Sequence, residues 1–536
     1  MKNKKIISLL LTLTVSASVL LLSGCSKTQE SGTSSDASVS SEAQELKIHF
    51  HSNNKYTLSD ADGNLKPVYK FTSEKLGIKI EDVANPVATN SLNEFQLQAT
   101  QGFPADIYGG NSLSQEIIKY GQQGGFVALD DLIEENAPNI KKFLDEHPQV
   151  KRSITAADGH IYYIPYVPDP TNLVSRAFFI RTDWLEKLNL EVPKTVEDLE
   201  KVLLAFRNED PNGNGKKDEI PYFNDKVYES IRLLNLWGAR VYGNDSYAER
   251  VVLDSDDNMY HAWLSDDFKN ALINMNRWYE EGLIDPEFIT RKGNTARPTL
   301  LTKDNTGGMT HEWIASTSSY NTNAELLSSV PDFKFEAIAP PTYNGTSFEE
   351  AQRNPVKSGG WAISSNCKSQ ETAIKFMDYF FSEEGSNLTN FGVEGETWTM
   401  KDGKPTFTDE VLSQTGVNNY LWENQGAQYP IGYPMNYDYE AQWTNPIGQE
   451  ASKLYQNLLI KNPTPVMQFN TEEKDTYDKT NNTLNTYLDE QVEKMITGQL
   501  DINSNWDAYV KQAKVLGADE LVTAYQSAYE RYKSIQ

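Results

Sequence analysis

Short apolar strands and helices take turns from residue 46 to residue 110, and few architectures accept that order. Leu46-Lys47-Ile48-His49-Phe50 alternates apolar with polar side chains, which is the period of a half-buried strand. A helix follows up to Leu76, with Gly77 placed to close it in the left-handed conformation. Ile78-Lys79-Ile80 reads as a second strand, residues 94–101 as a helix, and residues 105–108 as a short buried strand ending at Gly109-Gly110. This βαβα order predicts an α/β fold with a parallel sheet under covering helices. Further on, residues 161–166 and 177–180 read as strands, and residues 183–188 as a helix. Thr195 and Ser265 stand as N-caps before apolar residues at helical spacing, and Gly282 closes the second of these helices. Helices are also expected over residues 370–381, 452–460 and 483–496. A chain of 536 residues, at about 150 per domain, has room for two to four domains.

The N-terminus is an address rather than part of the fold. Lys2, Lys4 and Lys5 precede an apolar run over residues 6–22, which is shorter than the roughly 20 residues a spanning helix needs. Leu22-Ser23-Gly24-Cys25 resembles a bacterial lipobox, which implies cleavage before Cys25 and acylation of that residue. Residues 1–24 are then a signal peptide. Residues 25–44, rich in Ser, Thr and acidic side chains without an apolar face, form a flexible tether. With Cys25 lipidated, Cys367 is the one thiol left, and no intramolecular disulfide forms. Cys367 reads as a buried structural cysteine. The formal charge of −26 argues against nucleic acid as a partner, because a nucleic-acid binder carries a basic footprint.

Residues 210–219 read Asp-Pro-Asn-Gly-Asn-Gly-Lys-Lys-Asp-Glu. Oxygen-bearing side chains recur at Asp210, Asn212, Asn214, Asp218 and Glu219, and Gly215 allows the sharp turn, as at the start of an EF-hand loop. Lys216 would offer its backbone carbonyl. The bidentate glutamate that usually ends such a loop is replaced by Pro221. Hard oxygen donors point to Ca2+ in a structural role.

No catalytic motif accompanies this loop. The six histidines are scattered, and there is no His-Glu-x-x-His, Cys-x-x-Cys, Gly-x-Ser-x-Gly or Walker pattern. With 75 acidic residues, no carboxylate pair is diagnostic of a glycosidase. The expectation is a binding protein rather than an enzyme.

Several segments in sequence resemble the carbohydrate-type extracellular solute-binding proteins of bacterial ABC importers. They are Ile164-Pro165-Tyr166 followed by residues 175–185, Pro193-Lys194-Thr195-Val196-Glu197-Asp198-Leu199, the 210–219 loop, Gly359-Gly360-Trp361-Ala362-Ile363-Ser364, and Phe391-Gly392-Val393-Glu394-Gly395-Glu396-Thr397-Trp398. The resemblance implies a two-lobed periplasmic-binding-protein-like α/β fold with ligand held between the lobes. Lobe 1 would take residues 45–168 and 341–392, and lobe 2 residues 169–340 and 393–536. It also implies an oligosaccharide ligand, permease partners in the membrane, a monomer, and a place on the outer face of the cell membrane of a Gram-positive bacterium.

A pyranose presents an apolar face that stacks on an aromatic ring and hydroxyls that pair with carboxylates and amides. On that chemistry and the family's loop positions, the expected ligand contacts are Asn111, Tyr166, Asp169, Trp237, Glu312, Trp313, Trp361, Glu394, Trp398 and Trp443. Trp184, Trp278 and Trp506 lie on helical patterns and are expected in the core. Two other readings stay open. One is the same scaffold binding a peptide or another polar solute, and the other is a surface glycoside hydrolase.

Overall fold

The computed structural model describes residues 44–52, 56–241, 250–291, 293–414 and 416–535. The signal segment, Cys25 and the tether as far as residue 43 lie outside them. Gln44, expected as the last residue of the tether, instead opens the first strand, Gln44–His51.

Two mixed sheets organise the chain. In the first, the strand order is Ile78–Asp82, Gln44–His51, Ile107–Gly110, Gly360–Ile363, Ile164–Pro165. Its first three strands pair in parallel, as the βαβα order predicts. Gly360–Ile363 then runs antiparallel to both of its neighbours, so the sheet is not wholly parallel. The second sheet runs Phe335–Ile338, Arg176–Arg181, Gly307–Trp313, Ile220–Tyr222, and only its last pair is parallel. Two expected strands shift. Residues 105–108 become Ile107–Gly110, and residues 161–166 shrink to Ile164–Pro165, where Pro165 lacks the N–H a longer ladder would need.

Each sheet carries its own apolar core, and these cores define two lobes. The first gathers Leu46, Ile48, Ile107, Ile117, Trp361 and Phe376. The second gathers Phe178, Trp184, Leu203, Trp237, Trp278 and Met309. A fully buried side chain of this size contributes about 1.5–3 kcal/mol. The chain passes between the cores after Val167, after Phe348 and after Tyr439. The expected boundary at residue 393 does not match this packing. Trp398, Phe407, Leu421, Tyr429 and Tyr433 all belong to the first core, and the chain rejoins the second from Ile447 and Ala451. From there, three C-terminal helices, Thr471–Ile496, Ile502–Val515 and Ala518–Ser534, lay Leu484, Leu488, Trp506 and Leu521 on the second core.

Local signals account for most helix ends. Gly77 adopts φ 63°, and the side chains of Thr195 and Ser265 accept hydrogen bonds from Asp198 N and Phe268 N. Helix Pro446–Tyr455 starts earlier than expected, and Thr471–Ile496 is twelve residues longer at its N-terminus than the expected 483–496. The longer helix opens with an Asn470–Glu473 capping box.

Cys367 is buried, and burial pushes its thiol up to about 12. The native protein is therefore expected to react with a disulfide reagent at pH 8 at least about 100-fold more slowly than the guanidinium-unfolded chain. Stopped-flow absorbance on residues 26–536 would show this, and comparable native and unfolded rates would contradict it.

Candidate functional site

A cavity of about 340 Å³ draws residues from both lobes and from the passages between them. That volume sits at the small end of the roughly 300–1,000 Å³ seen for ligand pockets. The first lobe supplies Tyr56, Tyr166, Trp422, Gln428 and Tyr439, and the second supplies Trp313 and Ser316. Arg353 comes from the second passage, and Glu440 and Trp443 from the start of the third.

Tyr166 follows the two-residue strand Ile164–Pro165 and is fixed by its backbone, whose N–H donates to Gly359 O and whose carbonyl accepts from Lys357 N. Its ring meets Tyr433 edge-on at 5.1 Å. Trp313 ends the strand Gly307–Trp313 and remains 38% exposed, unusual for a tryptophan in this protein. Tyr56 meets Trp422 edge-on at 5.1 Å, and the Trp422 indole N–H donates to Gln428 O. Trp443 ends the short helix Asp438–Trp443.

Four buried polar atoms of this lining have no hydrogen-bond partner among the described residues: Trp443 Nε1, Asn418 Oδ1, Arg353 Nε and Ser175 Oγ. Such groups are costly to bury unpaired, and native proteins keep few of them. Two donate, one accepts and the Ser175 hydroxyl can do either, which suits a ligand bearing hydroxyls. Arg353 is otherwise engaged. Its Nη2 donates to both Glu440 carboxylate oxygens at 2.9 and 3.0 Å. Burial opposes the guanidinium charge, but Glu440 more than restores it, so the group is held above its ordinary range. The pair is neutral as a unit.

Of the expected contacts, Tyr166, Trp313 and Trp443 meet in this cavity. The others are placed elsewhere. Trp237 packs edge-on against Trp278 at 4.8 Å in the second core. Trp361 is buried under the first sheet, where side chains at Gly109 or Gly432 would run into its indole, and Gly432 also sits at φ 68°. Trp398 is buried, its indole N–H donating to Gly392 O at 2.8 Å. Glu394 is exposed in the turn before it. Glu312 is buried beside Trp313. The Asn111 amide donates to Ser52 Oγ at 2.8 Å. Asp169 accepts from Tyr437 N at 2.7 Å and from Thr171 N and Oγ1, so it braces a crossing. Tyr56, Ser316, Arg353, Asn418, Trp422, Gln428, Tyr439 and Glu440 were not anticipated. Only the aromatic and acidic density around residues 433–443 hinted at any of them.

The 210–219 loop curls on itself. Asp210 accepts from Asn214 N and Gly215 N, Asn212 Oδ1 from Asn214 N, and Asn214 Oδ1 from Lys216 N. Asp218 is held by the Asn212 and Asn214 amides. Both Glu219 carboxylate oxygens are buried without a partner among the described residues. Burial, with smaller additions from Asp210 and Asp218, raises its pKa. No group of three or more His, Cys, Asp or Glu side chains gathers at metal-binding range among the described residues, so a cation here would draw also on amide and backbone oxygens. A buried carboxylate with unpartnered oxygens, on a loop rich in amide and backbone oxygens, fits a hard divalent cation. No helix among the described residues is long and apolar enough to cross a membrane.

A family model described as bacterial extracellular solute-binding protein matches residues 61–387. The fructooligosaccharide ABC transporter substrate-binding protein of Streptococcus pneumoniae serotype 4 is 25% identical, covering 100% of this chain and 99% of its own. Among solved structures, an alginate-binding protein crystallised without calcium ion is 38% identical with TM-score 0.77, covering 92% of this chain and 99% of that one. An EF-hand mutant of the S. pneumoniae substrate-binding protein in complex with fructo-nystose shares the fold at 21% identity and TM-score 0.69, covering 92% and 100%.

Proposed function

Because the chain belongs to the bacterial extracellular solute-binding proteins, whose members here serve ABC transporters as binding proteins and not as enzymes, we propose that it captures an oligosaccharide in the Trp313–Trp443 cavity. The observation that carries this reading is the pairing of a ring-lined wall with four unpartnered buried polar atoms. Rings stack on the apolar faces of sugars, and the unpaired donors and acceptor meet their hydroxyls. The relatives' fructooligosaccharide and alginate ligands support the same class. The lipobox at Leu22-Ser23-Gly24-Cys25 supports anchoring on the outer face of the membrane through acylated Cys25, from which the protein hands its cargo to a permease. Closure of the two lobes on the sugar follows from contacts that both lobes make with it at once.

Calcium belongs to this reading as a structural ion. Asp210, Asn212, Asn214, Asp218 and Glu219, with the Lys216 carbonyl, are the groups that would hold it. The calcium-free alginate-binding structure and the EF-hand mutant of the fructooligosaccharide relative support the assignment. Bound there, it would neutralise the loop's clustered negative charge.

Calorimetric titration of residues 26–536 with nystose, an alginate trisaccharide, an oligogalacturonate and a mixed tripeptide pool tests the reading. One saccharide is expected to bind at 1:1 and to be recovered unchanged. Trp313→Ala is expected to weaken it by about 30-fold, as loss of a buried aromatic anchor does. Trp443→Phe, which keeps the ring but removes the donor, is expected to cost about 3- to 10-fold. Binding of the peptide pool alone, or cleavage of a sugar, would overturn the proposal.

A further inference from the structure

We infer that Arg176 is a positioning residue that presets Trp313 as the second-lobe wall of the cavity. The inference deepens the carbohydrate reading, on which it rests for what the wall receives. Arg176 and Trp313 face each other across neighbouring strands. The guanidinium carbon lies 4.0 Å from the indole ring centre, so one side of the ring is backed by a fixed planar cation. Arg176 is itself buried, while Trp313 is open.

The arginine is held from behind. Its Nη2 pairs with Glu229 Oε1 at 3.0 Å, and Glu229 Oε2 also meets Arg232 Nε at 3.2 Å, all three side chains being buried. A second buried arginine supports the next residues of the same wall. Arg297 Nε donates to Asp225 at 2.8 Å, and its Nη1 donates to Ser316 Oγ and Thr317 Oγ1 at 2.8 Å each. Glu312, the residue before Trp313, is buried in the same region, where burial raises its carboxyl against the pull of Arg297 and Arg176. Residues 313–317 therefore rest on a bed of buried charges.

Such a bed is an expensive way to build a core. Burying six charged groups costs desolvation that apolar side chains of similar volume would avoid. What a guanidinium offers in exchange is a flat face that stacks on an indole while its edge stays hydrogen-bonded, which an ammonium cannot do. A ring held in its bound orientation loses less freedom when a sugar stacks on it. That difference is worth about 3- to 10-fold in affinity for one side chain.

The test separates positioning from mere support. The chain has ten tryptophans, so 5-fluorotryptophan labelling gives ten fluorine resonances, and Trp313→Phe assigns the relevant one. Arg176→Lys keeps the charge beside Glu229 but removes the stacked plane. It is expected to shift and broaden the Trp313 resonance while the other nine stay in place. Nystose or the alginate trisaccharide, whichever the wild type binds, is expected to bind Arg176→Lys about 3- to 10-fold more weakly. The same change made in Trp313→Ala is expected to add no loss. Arg232→Lys, which shares Glu229 but is not stacked on Trp313, guards against a general folding defect. A Trp313 resonance that moves equally in both variants, or stays still in Arg176→Lys, would overturn the inference. So would an equal affinity loss with and without Trp313. A Trp313 resonance that moves only in Arg176→Lys, in a protein that binds the peptide pool alone, upholds the positioning role and overturns the carbohydrate reading instead.

Discussion

Asp225→Ala is expected to destabilise the second lobe by about 3–5 kcal/mol, the cost of stranding a buried charge. Asp225 is 1% exposed and accepts three hydrogen bonds, from Ala296 N, Arg297 N and Arg297 Nε. Its loss leaves two backbone donors unpaired and removes the carboxylate bonded to the Arg297 guanidinium, which also carries Ser316 in the cavity wall and the buried Thr317 beside it. Asp225→Asn keeps an acceptor for the backbone donors but not the charge, and should lie between the variant and the wild type. For a unit of about 150–250 residues the alanine variant should melt roughly 10 °C lower. Urea titration followed by tryptophan fluorescence reads the effect directly. A loss under about 1 kcal/mol would show that Arg297 does not depend on Asp225 for its neutralisation.

Excess chelator is expected to lower the melting temperature of calcium-saturated protein at pH 7.5 by roughly 5–10 °C. A ligand at about 100 times its dissociation constant contributes about 2.7 kcal/mol, and that converts to a shift of this size. The sign with pH follows from Glu219. Burial first, then Asp210 and Asp218, raise its carboxyl above the ordinary value of 4.5. A raised acid favours the folded state while it is protonated. The chelated protein is therefore unpenalised below the ordinary value and carries the full penalty once the pH has risen past the raised one. Calcium relieves that penalty at neutral pH, and protons compete with it on acidification. The calcium-dependent shift should accordingly shrink as the pH falls toward the carboxylate range. Glu219→Gln should stabilise the chelated form at neutral pH and blunt its response to calcium. A melt indifferent to chelator, together with no calcium by elemental analysis, would remove the ion from the account.

The expectations that held are those written within a few residues of chain. Gly77 closes its helix because only a residue free of a Cβ turns left-handed without strain. Thr195 and Ser265 cap theirs because the side-chain oxygen reaches a backbone N–H three residues on. Trp184, Trp278 and Trp506 are buried because helical spacing put them on an apolar stripe.

The candidate cavity was legible only in part, and the misses share a cause. An aromatic beside an acid describes a sugar platform and a core residue equally well. Trp398 carries the same local signature as Trp313, yet the carbonyl of Gly392 takes its indole N–H. Trp361 has no acid or amide beside it in sequence, and Gly109 and Gly432 close over its ring. Arg353 and Glu440 stand 87 residues apart, and nothing near either one announces the other.

By itself the sequence determined the βαβ start, the helix ends at Gly77, Thr195 and Ser265, the absence of catalytic motifs and the family. Each rests on backbone preferences or short spacings that need no distant partner. Only the tertiary structure decided that residues 398–439 return to the first lobe, which aromatics stay open to the cavity, and which polar atoms there lack partners. Those outcomes depend on what packs against each residue from elsewhere in the chain, and burial is a property of that assembled neighbourhood rather than of any one segment.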